Sequence, residues 1–164
     1  MDIGMFRQQL LAQLPRLRRF ALGHCRSVAD ADDLVQMTVE RALSRWRQWS
    51  GEGPLEYWLF SILRNIWRDE GRRWKRMSDV IVAADAENSV ESDSETSVYL
   101  DQMHHLITRL PDGQREALLL VCVEGMSYKE TAAVLDIPVG TVMSRLARAR
   151  ATLMEMSGEV KNVS

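Results

Sequence analysis

Apolar residues recur along this chain at three- and four-residue intervals, and no stretch alternates with period two for long enough to suggest a strand. The predicted architecture is therefore all-α. Leu10, Leu14, Leu17 and Ala21 make one stripe, with Pro15 expected to kink that helix or to mark its first turn. A second helix is predicted from about Asp30, as its cap, to about Trp49, with Ala31, Val35, Thr38, Val39, Ala42 and Trp46 turned inward. Gly51, Gly53 and Pro54 break the chain. A third helix follows, burying Leu55, Trp58, Leu59, Ile62, Leu63 and Ile66.

The second half is punctuated more sharply. The stripe Met103, Leu106, Ile107, Leu110 ends at Pro111, and a helix from about Asp112 to Glu124 should stop at Gly125. Ser127 and Glu130 stand at capping-box spacing, where the hydroxyl accepts the Glu130 amide and the carboxylate reaches back. A short helix to Leu135, a tight turn through Asp136, Ile137 and Pro138, and a last helix from about Val139 to Met154 complete the pattern of a helix-turn-helix.

Between the halves, residues 77–100 are rich in Ser, Asp, Glu and small residues, with too few large apolar groups to offset the entropy of ordering them. They are expected to form a flexible acidic linker joining two small helical domains, 1–76 and 101–164. Charge sharpens this division, because the net −2 conceals it. Residues 1–76 carry 14 Lys/Arg against 9 Asp/Glu, residues 77–101 carry 7 acids and no base, and residues 102–164 balance at 7 and 7. Basic surfaces beside an acidic connector suit a nucleic-acid binder. Cys25 and Cys122 show no CxxC spacing and read as reduced core thiols. No apolar run approaches the roughly 20 residues of a membrane span, and the N-terminus lacks a signal-peptide core, so a cytoplasmic protein without membrane insertion is expected.

Two surfaces carry candidate chemistry. In the last helix Val142, Leu146, Ala149 and Leu153 form an apolar stripe, which leaves Thr141, Ser144, Arg145 and Arg148 on an outward one. Short hydroxyls near the helix start and arginines further on suit entry into a major groove, and no acid intervenes between Val139 and Met154. A merely solvated face is the plain alternative for any single arginine cluster. It loses ground to the conjunction of capping box, tight turn, paired stripes and missing acids. At the end of the third helix Arg64, Trp67, Arg68 and Arg72 interleave guanidinium groups with an indole, as single-stranded nucleic acid requires. Core packing is the competing reading for each tryptophan there. His24, His104 and His105 lack ligand or dyad spacing, so no metal, cofactor or catalytic group is expected.

The segments Asp30–Leu43, Trp58–Arg73 and above all Leu110–Leu153 together resemble an extracytoplasmic-function sigma factor of the sigma-70 family. The resemblance spans nearly the whole chain outside the connector. It implies a region 2-like domain and a region 4-like domain that bind core RNA polymerase, direct it to promoter DNA and help open the duplex, with no enzymatic activity in the chain itself. Asp32, Asp33, Leu34, Gln36 and Thr38 would then contact the polymerase. Trp49, Arg64, Asn65, Trp67, Arg68, Arg72 and Arg73 would serve the minus-10 strand, with the loop near Trp49 to Leu55 accepting a flipped base. Tyr128, Thr141, Ser144, Arg145 and Arg148 would serve the minus-35 element. An anti-sigma factor is an expected partner. Met37 and Met143 depart from the residues usual at their positions. A stand-alone helix-turn-helix regulator is the alternative, and it leaves the Arg/Trp helix and the Asp30–Leu43 segment without a task. Copurification with core RNA polymerase separates the two.

Overall fold

A computed structural model describes the backbone of residues 1–81 and 95–162 and the side chains of residues 1–71 and 98–158. Every regular element among the described residues is helical, and there is no strand among them. The elements are α1 (Ile3–His24), α2 (Val28–Ser44), a short turn of tighter helix (Trp46–Gln48), α3 (Leu55–Ile81), α4 (Glu95–Thr108), α5 (Asp112–Leu118) with a wider turn after it (Leu119–Val123), α6 (Tyr128–Leu135) and α7 (Val139–Asn162).

Local chemistry explains most boundaries. Asp2 caps α1 by accepting the Met5 amide at 2.8 Å, and Pro15 lies in the helix interior on its exposed side rather than in a first turn. The cap of α2 is Ser27, whose Oγ accepts the Asp30 amide at 3.1 Å; Asp30 instead lies in the first turn, where its charge suits the helix dipole. That helix ends at Ser44, short of the expected Trp49. Gly51 and Gly53 take φ +77° in the loop to α3, and Gly125 takes φ +70° where the α5 segment stops. Ser127 Oγ accepts the Glu130 amide at 3.0 Å, but the Glu130 carboxylate does not complete the capping box. It receives the Tyr57 hydroxyl of α3. Asp136 makes the turn into α7 at φ 54°.

The expected connector is shorter than residues 77–100, because α3 runs to Ile81 and α4 starts at Glu95; the rest lies outside the described residues. The two halves also do not stand apart. Phe6, Leu17 and Phe20 of α1, Leu34 of α2 and Leu59, Phe60 and Ile66 of α3 share one buried cluster with Leu119, Leu120, Met126, Val134 and Leu135. A second cluster holds α7 against α5 and α6 through Leu110, Ala117, Ala132, Val142, Leu146 and Ala149. Being covered on two sides, α3 buries Phe60 and Trp67 besides its expected stripe, while Trp58 is only half-buried.

Candidate nucleic-acid interface

The last two helices pack as a helix-turn-helix. Val142, Leu146 and Ala149 are buried, which fixes the opposite side of α7 toward solvent. Ser144 and Arg148 are exposed there, Thr141 is half-buried, Met143 is exposed between them, and Tyr128 stands exposed at the start of α6. Arg145 departs from the expected outward stripe. Its guanidinium lies against Gly113 of α5, so closely that a Cβ at Gly113 would fall 3.2 Å from it, and its Nη1 is buried without a hydrogen-bond partner. A long side chain one turn from open solvent can swing out from such a site, since it has no bond there to break.

On α2, Asp32, Asp33 and Gln36 form an exposed row, with Asp32 paired to Arg18 of α1 at 3.2 Å and Gln36 donating to Glu40 at 3.3 Å. Leu34 and Thr38, also of the expected polymerase-contact set, are placed differently from that row. Both are wholly buried, and the Thr38 hydroxyl donates to the Leu34 carbonyl at 2.7 Å, so they fasten α2 to its neighbours and present nothing to a partner.

The basic end of α3 is also differently placed from an open strand-binding face. Arg64 donates to Glu116 of α5 at 3.2 Å, and Arg68 grips the same carboxylate through Nε at 2.8 Å and Nη2 at 3.0 Å. Trp67 is buried, its indole N–H donating to Asp112 at 3.3 Å and its ring lying 5.4 Å below the Arg115 guanidinium. Asn65 is exposed. Arg72 and Arg73 lie on α3 beyond the described side chains. Trp49 packs half-buried against Phe6, and with Trp46, Arg47, Ser50 and Gly51 it lines an open cleft of about 470 Å³. The cleft joins aromatic walls to a cation, which is a suitable lining for an unstacked base.

Several further residues at this junction were invisible to local pattern. Glu124 has no exposed side-chain surface and accepts from Arg16 at 3.1 Å and from Arg19 at 2.9 Å. The Tyr57 hydroxyl is pushed up to about 12, first by its bond to Glu130 and then by burial. Arg115 is buried and donates to His24 Nδ1 at 3.0 Å and to the Leu110 carbonyl at 2.7 Å. Burial holds His24 well below the ordinary histidine value, with Arg115 adding repulsion. Cys25 is buried and its thiol is pushed up to about 12, chiefly by that burial, whereas Cys122 is exposed and so not the core thiol expected. Among the described residues no group of His, Cys, Asp and Glu is arranged to hold a metal, and no helix is long and apolar enough to cross a membrane.

Two family models match the sequence, one described as Sigma-70, region 4 over residues 100–153 and one as the Sigma2 domain of PhyR over residues 10–64. Over 148 residues the chain is 36% identical to the ECF RNA polymerase sigma factor EcfG of Rhodopseudomonas palustris (strain TIE-1), a match covering 90% of this chain and 82% of that protein. It is 36% identical over 129 residues to the ECF RNA polymerase sigma factor SigC of Mycobacterium tuberculosis (strain CDC 1551 / Oshkosh), covering 77% of this chain and 70% of that one. Among solved structures, the sigma factor RpoE in complex with the anti-sigma factor NepR from Bartonella quintana matches with a TM-score of 0.72 at 30% identity, over 93% of this chain and 96% of that chain. CnrH in complex with the cytosolic domain of CnrY matches with the same TM-score at 26% identity, over 96% and 90%.

Proposed function

The chain belongs to the extracytoplasmic-function RNA polymerase sigma factors, and from that membership we propose how its surfaces divide the work of promoter-specific initiation. It acts with core RNA polymerase as a transcription initiation factor, and the nucleotide chemistry belongs to the polymerase. The exposed row Asp32, Asp33 and Gln36 on α2 is the polymerase-docking face. The cleft beside Trp49, with Arg64, Asn65, Trp67 and Arg68 of α3 and Arg72 and Arg73 beyond them, captures the unpaired minus-10 strand. The outward side of α7, with Tyr128 of α6, reads the minus-35 element. The half that ends with α3 thus serves polymerase and minus-10, and the half that begins with α4 serves minus-35.

The observation that carries this reading is the acid-free outward side of α7, fixed in direction by the burial of Val142, Leu146 and Ala149 and bearing Ser144 and Arg148 in solvent. A stand-alone regulator would use that helix too, but the relative's match covers 90% of this chain and so reaches well into the first three helices, which such a regulator leaves idle. Because RpoE of Bartonella quintana was solved with NepR and CnrH with part of CnrY, an anti-sigma protein is proposed as a partner of this chain as well, in a stress or environmental response.

The test is copurification with core RNA polymerase followed by promoter-directed transcription from purified parts. Within that complex Arg148→Ala should weaken binding to all DNA sequences and lower the salt dependence, as loss of a phosphate contact does. Arg145→Ala should cost about 1 to 3 kcal/mol and relax preference at one base position once the side chain swings into the groove. If neither change alters promoter binding, α7 is not the minus-35 reader.

A further inference from the structure

The outward side of α7 has two edges of different character. Thr141, Ser144 and Arg148 follow one of them and carry the reading given above. Along the other, Val139, Met143 and Ala147 recur at every fourth residue, and all three are exposed, Val139 by 41% and Met143 by 54%. Side chains four apart lie one above the other on a helix, so these three make a single apolar ridge about 12 Å long at about 1.5 Å per residue. Gly140 lies between the two edges and adds no side chain that would hold a ligand off the helix start.

The polar edge by itself reads few bases. The Ser144 hydroxyl donates to the Thr141 carbonyl of its own helix at 3.1 Å, which leaves it only lone pairs to offer, and Thr141 is half-buried. Arg148, one turn further on, suits a phosphate, and phosphate contacts fix register without carrying sequence. At the start of a recognition helix, where base edges are met, the longest exposed side chain is therefore Met143. A thioether is a poor partner for the donors and acceptors of a base. The one apolar group that a base pair displays in the major groove is the C5-methyl of thymine.

We propose that Met143 reads thymine in the minus-35 element by packing its side chain on the C5-methyl group, with Val139 and Ala147 extending the apolar ridge on either side; the proposal rests on the assignment of α7 made above. Both groups leave water on contact, and neither gives up a strong hydrogen bond to do so. An unbranched chain ending in a polarisable sulfur adapts to a methyl group whose position varies with the docking of the helix. A base rather than a protein is the occupant, because Arg148 and Arg150 stand exposed beyond Met143 and no acid occurs from Val139 to Met154. That is the charge pattern of a surface that meets phosphates. The contact accepts thymine and refuses cytosine, which lacks the methyl group.

The experiment uses holoenzyme assembled from the full chain and core RNA polymerase. Its minus-35 element is first selected from a random library. Each thymine of that element, in either strand, is then replaced singly by deoxyuridine, which removes the methyl group and keeps every hydrogen bond of the base. Competition of the two duplexes for limiting holoenzyme gives the ratio of their affinities. One position should show a loss of about fourfold, the worth of one buried methyl group. Met143→Ala should bring that ratio close to one, and since alanine suits a helix at least as well as methionine, the variant stays folded. Ratios near one at every thymine overturn the proposal, as does a selected element without an A·T pair. So does a loss at deoxyuridine that Met143→Ala leaves in place, which assigns the methyl group to another side chain or to the shape of the duplex. If Met143→Ala instead weakens assembly with core polymerase in the absence of DNA, the ridge is a protein contact and the proposal falls. In each of these cases an Arg148→Ala variant that still weakens promoter binding keeps α7 as the minus-35 reader, and only the methyl reading fails. If Arg148→Ala, Met143→Ala and deoxyuridine all leave binding unchanged, the assignment of α7 is itself wrong and the methyl reading falls with it.

Discussion

His24 concentrates the physical tension of the junction in one ring. It lies edge-on to Phe20 with centroids 4.7 Å apart and 5.5 Å from Trp67, and its Nδ1 accepts from Arg115, so the neutral ring is the form that fits. Its Nε2 is buried without a hydrogen-bond partner. Burial depresses its pKa first, Arg115 of α5 and Arg68 of α3 depress it further, and Asp112 of α5 opposes them. The folded value therefore lies below the unfolded one. Stability is complete above the ordinary value of 6.5 and is lost as pH falls through it, because the unfolded chain takes up a proton that the folded chain refuses. The loss can reach about 1.4 kcal/mol per pH unit for one group. Urea unfolding at a series of pH values between about 7.5 and 5 should show the midpoint falling with acidity, and His24→Gln should flatten that slope. A slope unchanged in the variant assigns the effect to another group.

At the scale of the helix, α2 separates fastening from docking residue by residue. Leu34 and Thr38 are wholly buried, while Asp32, Asp33 and Gln36 project on the other side. Leu34→Ala should cost about 2 to 5 kcal/mol of stability. Asp33→Ala with Gln36→Ala should leave the unfolding midpoint nearly unchanged and weaken core polymerase binding; the reverse pattern would exchange their roles. The turn between α6 and α7 could be read from the chain because its signals are local, namely Ser127 three residues before Glu130, Pro138 after the turn, and an apolar stripe of helical period. The cap of α2 lies three residues before the expected Asp30, since Ser27 and Asp30 are both good capping types and only backbone direction chooses between them. The company kept by α3 was out of reach. Arg64 and Arg68 meet an acid about 50 positions later, and Glu130 turns from its own helix to a tyrosine 73 positions earlier. No periodicity records a contact of that span, so an Arg/Trp stripe destined for another domain looks the same as one destined for DNA.

At the scale of the molecule, the shared core makes the two halves one folding unit. Each half alone is near the size at which a hydrophobic core barely offsets chain entropy, and Leu119, Leu120, Val134 and Leu135 find much of their cover on α1 and α3. The polar part of the junction is as uneven as the apolar part is continuous. The Glu124 side chain is wholly buried, whereas Arg16 is 30% and Arg19 51% exposed, and Arg16 keeps Glu56 at 2.9 Å as a second partner. The two ways of cutting this link should therefore differ. Glu124→Gln leaves both arginines in contact with water and, for Arg16, with a carboxylate, so its cost should stay near that of lost charge-assisted bonds, about 1.5 to 3 kcal/mol. Arg16→Ala with Arg19→Ala strands a buried carboxylate, for which about 3 to 5 kcal/mol is the expected penalty. Separating the halves lets the stranded carboxylate escape that penalty by returning it to water. Urea unfolding followed by both tryptophan fluorescence and circular dichroism should give one coincident transition for the unsubstituted chain and for Glu124→Gln. In the double arginine variant the tryptophan signal should change first, because Trp67 loses Asp112 and Arg115 as the junction opens, while helix content persists to higher denaturant. Coincident curves in that variant would mean that the halves cannot part without unfolding, and the packed halves would then be the only folded form.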